Sequence, residues 1–406
     1  MATNGRISSH FEKLQLSKLA DPENEGSVCP VIFSWDYLPD MSSFLITQDW
    51  TFENPIDQNR TDDKTYKNAF PIYPKAANLP FHTGLTTTRH NRFWKAALDA
   101  SAELCELLAN DQSFKDAKLT SGGTLASIAG RDLQKPEGER FIKFAINLFP
   151  QANEERMQLI AAGIMFVVIF DDSWEEAPGE ALKRVQDDFV SRLRHDGSTI
   201  STESSPLQAR IDNIIQRFHT ADKVAGNGGQ DVIDTMLDWI LHSQPEKRFD
   251  NVREYLDYRW GDAANAWLFA CSKFSIESDV NLSDPKLAPF LRLAGDNISL
   301  VNDLASFDKE LRAFESGKTV VLINAVDVVR RACGLSIPDA KATTYTLQLL
   351  NEDQIRKELE RMKVEDKLTL EEWKYVDAIL VLLAGNTFYS MTTSRYGGEA
   401  ARIVRS

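Results

Sequence analysis

The spacing of apolar positions divides the chain into two unequal regions. From about residue 90 onwards, apolar residues recur at the three- and four-residue intervals of amphipathic helices, almost without interruption. Alternating apolar and polar residues, which indicate strands, are scarce. Helical runs are predicted at about 92–110, 137–149, 153–174, 179–195, 206–223, 229–243, 251–275, 286–315, 318–333, 352–362 and 370–392. This pattern predicts an all-α fold with ten or more helices around a central cavity or core.

The first part of the chain, residues 1–85, has a different character. It contains seven prolines and shows only weak helical periodicity. Apolar pieces within it, such as residues 29–39, need a surface on which to pack. We therefore predict an irregular N-terminal arm over residues 1–85, packed on a single helical domain over residues 86–406.

Composition and charge narrow the range of partners. The 406 residues carry 60 acidic and 46 basic side chains, a net charge of −14, which argues against a broad nucleic-acid or anionic-membrane surface. The four cysteines are scattered, as expected of free thiols in a reducing compartment. The longest apolar stretch, residues 157–170, is shorter than the ~20 residues of a membrane span, so we expect a buried helix. No secretory signal begins the sequence, and we expect a cytoplasmic protein.

A cluster of acidic residues follows directly on this apolar stretch. Asp171, Asp172, Glu175 and Glu176 lie within six positions, and Asp171 and Glu175 share one helical face. Two carboxylates ~4 Å apart repel by ~1 kcal/mol in water and by ~4 kcal/mol at an effective dielectric constant near 20. A hard cation such as Mg²⁺ or Mn²⁺ would relieve that repulsion. The alternative is an ordinary solvated helix end.

A second set of oxygen-bearing side chains forms a stripe on a later helix. Asn302, Ser306 and Glu310 are spaced by four residues and offer an amide oxygen, a hydroxyl and a carboxylate. They follow directly on residues 298–301, ISLV, which are mostly apolar. Polar groups that continue an apolar run cost free energy when they are buried without a partner. These groups suit one hard cation, and Lys309 lies beside them as a candidate phosphate contact. The alternative is the polar face of an amphipathic helix.

Together, the two clusters resemble the motifs of class I terpene synthases, particularly the microbial cyclases. The aspartate-rich motif of that family, DDxxD or DDxxE, is matched by residues 171–175. Its second motif, N-D-x-x-S-x-x-K-E, is matched at every defined position by residues 302–310, and the two motifs start 131 residues apart. The resemblance covers about residues 90–400. It implies an all-α fold and the ionisation and cyclisation of a linear isoprenoid diphosphate, with release of diphosphate.

The resemblance also implies roles for individual residues. It assigns metal binding to Asp171, Glu175, Asn302, Ser306 and Glu310, diphosphate binding to Arg259, Lys309, Arg395 and Tyr396, and the ionisation trigger to Asp262 and Ala263. The implied cofactor is Mg²⁺, as three ions, with Mn²⁺ as a substitute. Farnesyl diphosphate (C15) is the favoured substrate and geranylgeranyl diphosphate (C20) is the next. Homodimers are common among such enzymes, and the sequence leaves open whether this chain forms one.

A carbocation formed in this way needs an apolar cavity, in which aromatic faces can stabilise it. The candidates for its wall are Val167, Phe170, Trp267, Phe269, Phe274, Phe388 and Tyr389. Trp267 and Phe274 share a helical face and Phe269 points elsewhere, so these three cannot all line one pocket. Val167 stands where many relatives carry an aromatic residue, and Tyr389 where a tryptophan is common. The alternative for each of these side chains is ordinary helix core.

Two other functions compete with the cyclase. A chain-elongating prenyltransferase would share the fold and the metals but would carry two DDxxD motifs, whereas the second motif here is of the Asn/Ser/Glu type. A non-catalytic helical binding protein would need neither a metal nor a cavity. No nucleotide-binding motif or nucleophile–base pattern stands out. If the cyclase hypothesis is right, Asn302→Ala or Glu310→Ala should abolish turnover and leave the fold intact.

Overall fold

Helices form most of the computed structural model, which describes residues 14–39, 66–85, 88–119, 122–174, 179–195, 197, 204–222, 226–243, 245, 248–319 and 321–403, with the backbone alone at 172–174. In this described part the helices are α1 Trp94–Asn110, α2 Gln112–Asp116, α3 Leu125–Leu133, α4 Ile142–Leu148, α5 Glu154–Trp174, α6 Glu180–Arg194, α7 Pro206–Asp222, α8 Gly229–Ile240, α9 Val252–Asp262, α10 Asn265–Ser275, α11 Ala288–Glu315, α12 Ala325–Cys333, α13 Ile337–Glu365, α14 Leu370–Thr392 and α15 Ser394–Gly397. The prediction of an all-α fold is confirmed.

Two short strands and three helices, α2, α3 and α15, were not predicted. Strand β1, Ala69–Ile72, pairs antiparallel with β2, Thr88–Asn91. All four residues of β2 are buried, yet they read TRHN, so apolar alternation could not reveal the strand. Thr124 caps the start of helix α3, and its side chain accepts a hydrogen bond from the Ser127 amide in a reciprocal capping box. That capping signal is a local one, and it lies outside the hydrophobic periodicity used for the predictions.

Several helix boundaries also differ from the predictions. The predicted run 251–275 is broken between α9 and α10, where Ala264 adopts the left-handed conformation with a φ of 54°. The predicted run 318–333 becomes helical only at Ala325, because Asn324 caps α12 by accepting a hydrogen bond from the Val326 amide. Helix α13 begins at Ile337, well before the predicted start at 352. Both shifted helix starts follow capping residues, Asn324 and Ser336, whose side chains bind the first turn.

The long apolar stretch forms a buried helix, as predicted. Between Met157 and Phe170 most side chains of α5 are buried, and the helix delivers Asp171 to its exposed end. No helix in the described ranges combines the length and the apolar character that a bilayer crossing requires. Helix α5 therefore serves as a central packing element, in contact with α1, α4, α7 and α10.

The described parts of the N-terminal region lie against the helical body. The Trp35 amide donates to the Met391 carbonyl at 3.0 Å, at the end of α14. At a second place, the Thr83 hydroxyl and the Gly84 amide donate to the buried Glu352 carboxylate of α13 at 2.9 and 2.8 Å. These contacts join distant parts of the sequence. The division into an arm over 1–85 and a domain over 86–406 stays a prediction.

A buried histidine in β2 makes the stability of this fold sensitive to pH. The Cys29 amide donates to His90 Nε2 at 3.1 Å, and His90 Nδ1 lies 2.8 Å from the Asn91 carbonyl. Burial lowers the pKa of His90 to about 4, from an ordinary value of 6.5. Because the folded state holds the ring neutral, the stability that His90 contributes is complete above pH 6.5 and is lost as the pH falls towards 4.

We therefore expect acid to destabilise the chain partly through His90. Between pH 7 and pH 4.5 the free energy of unfolding should fall by roughly 2–3 kcal/mol more in the wild type than in His90→Gln, whose side chain does not titrate. Urea unfolding of both proteins at the two pH values measures this difference. An equal loss in both proteins would show that His90 is not held neutral.

Candidate active site

The oxygen stripe predicted on α11 is present, and two of its three residues line a cavity, whereas Ser306 does not. Asn302 and Glu310 line that cavity, and Asn324 donates to Glu310 Oε2 at 2.9 Å. Ser306 lies between them, is 1% exposed, and its hydroxyl has no hydrogen-bond partner among the described residues. A buried hydroxyl without a partner costs free energy, and a hard cation would satisfy it. The donor set of the stripe thus fits Mg²⁺.

The first acidic motif is described only in part. Asp171 lies at the end of α5, lines the cavity and is about half exposed. Glu175 lies outside the described residues, as does the side chain of Asp172. Within the described ranges, no three or more His, Cys, Asp or Glu side chains are grouped as a metal site. The candidate set on α11 includes an amide and a hydroxyl, so it falls outside that pattern.

The break between α9 and α10 places a charged pair at the cavity. Arg259 and Asp262 come from the last turn of α9 and form a salt bridge, and both line the cavity together with Ala263. Asp262 is fixed from two further sides, because the Tyr258 hydroxyl donates to its Oδ1 at 3.0 Å and the Trp239 indole donates to its backbone carbonyl at 3.2 Å. The segment predicted as the ionisation trigger is thus held in a defined position.

Asp303 is the residue of this network that sequence reasoning missed. Its fully buried carboxylate accepts from the Arg259 guanidinium at 3.1 and 3.3 Å, from the Tyr255 hydroxyl and from the Ala325 amide at 2.8 Å. Burial raises the pKa of Asp303 to about 6 against the opposing effect of Arg259. Burial disfavours the charge on Arg259, yet Asp303 and the other nearby acidic groups raise its pKa well above the ordinary value. Near neutral pH the two residues form a buried ion pair.

The C-terminal Arg-Tyr pair connects the two motifs. Arg395 donates to Asp171 Oδ2 at 3.3 Å, and Asn302 Nδ2 donates to the Tyr396 hydroxyl at 2.9 Å. Asn302 in turn accepts from Arg259 at 2.9 Å. Burial raises the pKa of Tyr396, so its hydroxyl keeps its proton and can donate. The C-terminal ends of α5 and α9, the C-terminal half of α11 and the short helix α15 therefore meet at one place.

One cavity of about 730 Å³ collects these groups. Its polar side includes the predicted residues Asp171, Arg259, Asp262, Ala263, Asn302, Lys309, Glu310, Arg395 and Tyr396. Its apolar and aromatic side is formed by Phe144, Ile164, Val167, Val168, Trp239, Leu268, Ile298 and Tyr389. On α5, Ile164 and Val167 come before Asp171, and on α11, Ile298 comes before Asn302 and Glu310, so the cavity has a largely apolar side and a charged side.

Most of the aromatic residues predicted to line this cavity lie elsewhere. Val167 and Tyr389 are in its wall, but Phe170, Trp267, Phe269, Phe274 and Phe388 are not. Phe170 stacks on Phe189 with ring centroids 4.7 Å apart, and Phe274 packs on Phe218 at 5.0 Å. All but one of the residues of α10 are buried, because the helix is surrounded by others. Its apolar spacing therefore could not indicate which face meets the cavity.

Among the wall residues that were not predicted from the sequence are Phe144, Trp239 and Asn386. The ring of Phe144 meets Tyr389 edge-to-face, with centroids 5.0 Å apart. Trp239 reaches the wall from α8. Asn386 places an amide there and donates to the Ile298 carbonyl at 3.3 Å. No motif marked any of them, since each comes from a helix whose relation to the cavity depends on the packing of the whole fold.

The charge at the cavity is opposite in sign to that of the chain. Among the described wall residues, five are cationic, namely Arg259, Lys309, Arg312, Lys318 and Arg395. Three are acidic, namely Asp171, Asp262 and Glu310. The chain as a whole carries −14. This local excess of positive charge favours an anionic ligand at the polar side.

The chain is similar in sequence to a known family and to several known proteins. Residues 163–349, which include both motifs, match the family model described as terpene synthase family 2, C-terminal metal binding. The chain is 25% identical over 341 residues to terpene cyclase 6 of Gibberella fujikuroi, covering 82% of this chain and 86% of that protein. It is 26% identical over 255 residues to a cyclopiane-type diterpene synthase of Penicillium chrysogenum. That match covers 61% of this chain and about a third, 33%, of the longer enzyme.

The fold is shared with solved structures at lower sequence identity. The crystal structure of an α-eudesmol synthase superposes with a TM-score of 0.55 at 14% identity, covering 75% of this chain and 96% of that one. At this identity the similarity shows the fold alone. The family match, the fungal relatives and the all-helical fold, taken with the two motifs, support the identification of the chain as a class I terpene synthase of the fungal type.

Proposed function

We propose that the chain ionises a linear isoprenoid diphosphate and closes the resulting carbocation into a cyclic terpene. One observation carries this proposal. Hard oxygen donors and five cations lie on one side of a single cavity whose other side is apolar and aromatic. Such a cavity can bind a diphosphate at one side and enclose a hydrocarbon chain at the other. A binding protein for a polar ligand would have no use for the apolar side.

In this proposal, Asn302, Ser306 and Glu310 bind metal from α11, and Asp171 binds it from α5. Glu175, outside the described residues, is proposed as a further ligand. When bound, Mg²⁺ or Mn²⁺ supplies positive charge that neutralises the diphosphate as it leaves. Support for the α11 site comes from the Ser306 hydroxyl, which has no hydrogen-bond partner within the described ranges and which such an ion would satisfy.

Side chains of the protein would bind the diphosphate itself. Arg259, Lys309 and Arg395 offer cationic donors, and Tyr396 offers a neutral one. Because Asp303 and Asp262 already orient Arg259, its guanidinium needs little rearrangement when substrate binds. Asp262 and Ala263, at the helix break, would sense the diphosphate through Arg259. The allylic C–O bond then breaks, and its electron pair leaves with the diphosphate.

The apolar side would protect the carbocation that remains. Ile164, Val167 and Leu268 exclude water, which would otherwise trap the cation before it cyclises. Phe144 and Tyr389 present rings at this wall, and each can contribute up to ~2 kcal/mol of cation–π attraction when desolvated. The reaction ends with loss of a proton or addition of water to the last cation. Farnesyl diphosphate is our favoured substrate and geranylgeranyl diphosphate the next, and the cavity volume is compatible with both.

The purified chain should convert one isoprenoid diphosphate into a cyclic product. We expect incubation with C10, C15, C20 and C25 diphosphates to give a cyclic hydrocarbon or alcohol from the C15 substrate, and none in the presence of EDTA. Gas chromatography–mass spectrometry of the extracts measures this. Longer linear products formed only with added C5 diphosphate would indicate a prenyltransferase. No conversion by a folded sample would contradict the proposal.

Ser306→Ala separates metal binding from stability. Asn302 and Glu310 have hydrogen-bond partners in the protein, so their removal disturbs neighbours as well. The Ser306 hydroxyl has none among the described residues, so its loss should change the free energy of unfolding by less than about 1 kcal/mol. The concentration of Mg²⁺ that gives half-maximal turnover should nevertheless rise by at least roughly tenfold.

Ser272→Ala is a matched control for this variant. Ser272 is 1% exposed, and its hydroxyl likewise has no partner in the described part of the chain, but it lies on α10 and not on the α11 stripe. Its removal should leave both stability and Mg²⁺ dependence unchanged. If Ser306→Ala behaves like Ser272→Ala in the Mg²⁺ titration, the α11 stripe is not the metal site.

A further inference from the structure

We propose that Trp35, in the N-terminal region, is a positioning residue for the diphosphate-binding pair Arg395–Tyr396. Trp35 lies about 360 residues before that pair and outside residues 163–349, which match the family model. The inference rests on the proposed function, because it assumes that Arg395 and Tyr396 bind diphosphate. It adds a role for a part of the chain that carries none of the motifs.

The first observation is that Trp35 caps the helix that precedes the pair. The last four carbonyls of an α-helix have no partner within the helix. The Trp35 amide donates to the Met391 carbonyl at 3.0 Å, and its indole Nε1 donates to the Ser390 carbonyl at 2.8 Å. Lys143 Nζ donates to the Thr392 carbonyl at 2.6 Å. One residue of the N-terminal region therefore satisfies two carbonyls in the final turn of α14, directly before α15.

The second observation is a close approach between Trp35 and the residue that follows the pair. The backbone of Gly397 lies so near the indole that a Cβ at this position would be 2.5 Å from Trp35 Cδ2. The φ of Gly397 is not in the left-handed region. Glycine is therefore required here by the close contact with the indole and not by the backbone conformation. The indole thus forms the surface against which the turn of α15 rests.

The segment that contains Trp35 also contacts the chain beyond α15. The Ile403 amide donates to the Ser34 carbonyl at 2.8 Å. Arg402 donates to the Ile32 carbonyl, and its guanidinium lies 5.0 Å from the ring centroid of Phe33. Residues 32–35 therefore contact the chain on both sides of Arg395–Tyr396. Movement of this segment would release the turn that carries the pair.

Tyr396 connects the position of α15 to the motif on α11. Its hydroxyl accepts from Asn302, and Asn302 accepts from Arg259. A shift of α15 would therefore change the diphosphate donors on two helices at once. Misplacement of catalytic groups by about 1 Å can cost roughly a hundredfold in rate, even when the mutation lies far from the chemistry.

Titration of the full chain with inorganic diphosphate in the presence of Mg²⁺, followed by calorimetry, tests the inference. Gly397→Ala pushes the turn away from the indole and should raise the Kd for diphosphate roughly ten- to a hundredfold. Trp35→Phe keeps an aromatic ring and the backbone hydrogen bond to Met391, but it loses the indole hydrogen bond to the Ser390 carbonyl. It should raise the Kd for diphosphate severalfold. Gly229→Ala is the control, because its Cβ would also clash, at 2.1 Å from the Phe218 carbonyl, but this contact joins α7 and α8 and does not involve α15.

A double-mutant cycle then separates positioning from general destabilisation. If Trp35 acts through Tyr396, Trp35→Phe should cost much less in the Tyr396→Phe background than in the wild type. Fully additive effects, or an unchanged Kd in both Gly397→Ala and Trp35→Phe, would overturn the inference while the proposed function stands. Failure of the wild type to bind diphosphate with Mg²⁺ would overturn the proposed function and this inference with it.

Discussion

The buried ion pair of Arg259 and Asp303 is the interaction on which the rest of the site depends. Removing two charges from water costs several kcal/mol for each ion, so the pair persists only because its geometry is well satisfied. Asp303 also accepts from the Tyr255 hydroxyl and the Ala325 amide. The pair thereby fixes α9, α11 and the start of α12 relative to one another. This contact therefore positions every diphosphate donor and metal ligand that is proposed on those helices.

This constraint explains the division of the cavity into two sides. The charged side forms where the C-terminal ends of α5 and α9, the C-terminal half of α11 and α15 meet, and cationic side chains outnumber acidic ones there. The opposite side is built from apolar and aromatic residues of α4, α5, α8, α10, α11 and α14. A site for a molecule with an anionic head and a hydrocarbon tail thus follows from the way these helices are packed. The N-terminal region stabilises this arrangement from outside, through α14 and α15.

Polar motifs could be predicted from the sequence, whereas the wall of the cavity could not. Asn302 and Glu310 stand out because oxygen donors interrupt an apolar helix at four-residue intervals. Asp303 is adjacent to that stripe, but its role depends on α9 lying across from it, which no local pattern indicates. Trp267 and Phe274 have the spacing of a cavity face, yet α10 is buried on nearly every side and they pack in the core. Strand β2 and the break at Ala264 likewise depend on tertiary contacts.

The most direct test of the central claim is a crystal structure of the chain grown with Mn²⁺ and inorganic diphosphate, with the ions located by their anomalous scattering. We predict Mn²⁺ on Asn302, Ser306 and Glu310, and diphosphate in contact with Arg259, Lys309 and the Arg395–Tyr396 pair. The ion pair between Arg259 and Asp303 should be unchanged. Diphosphate bound outside the cavity, or a cavity that contains diphosphate with no metal on the α11 stripe, would contradict the claim.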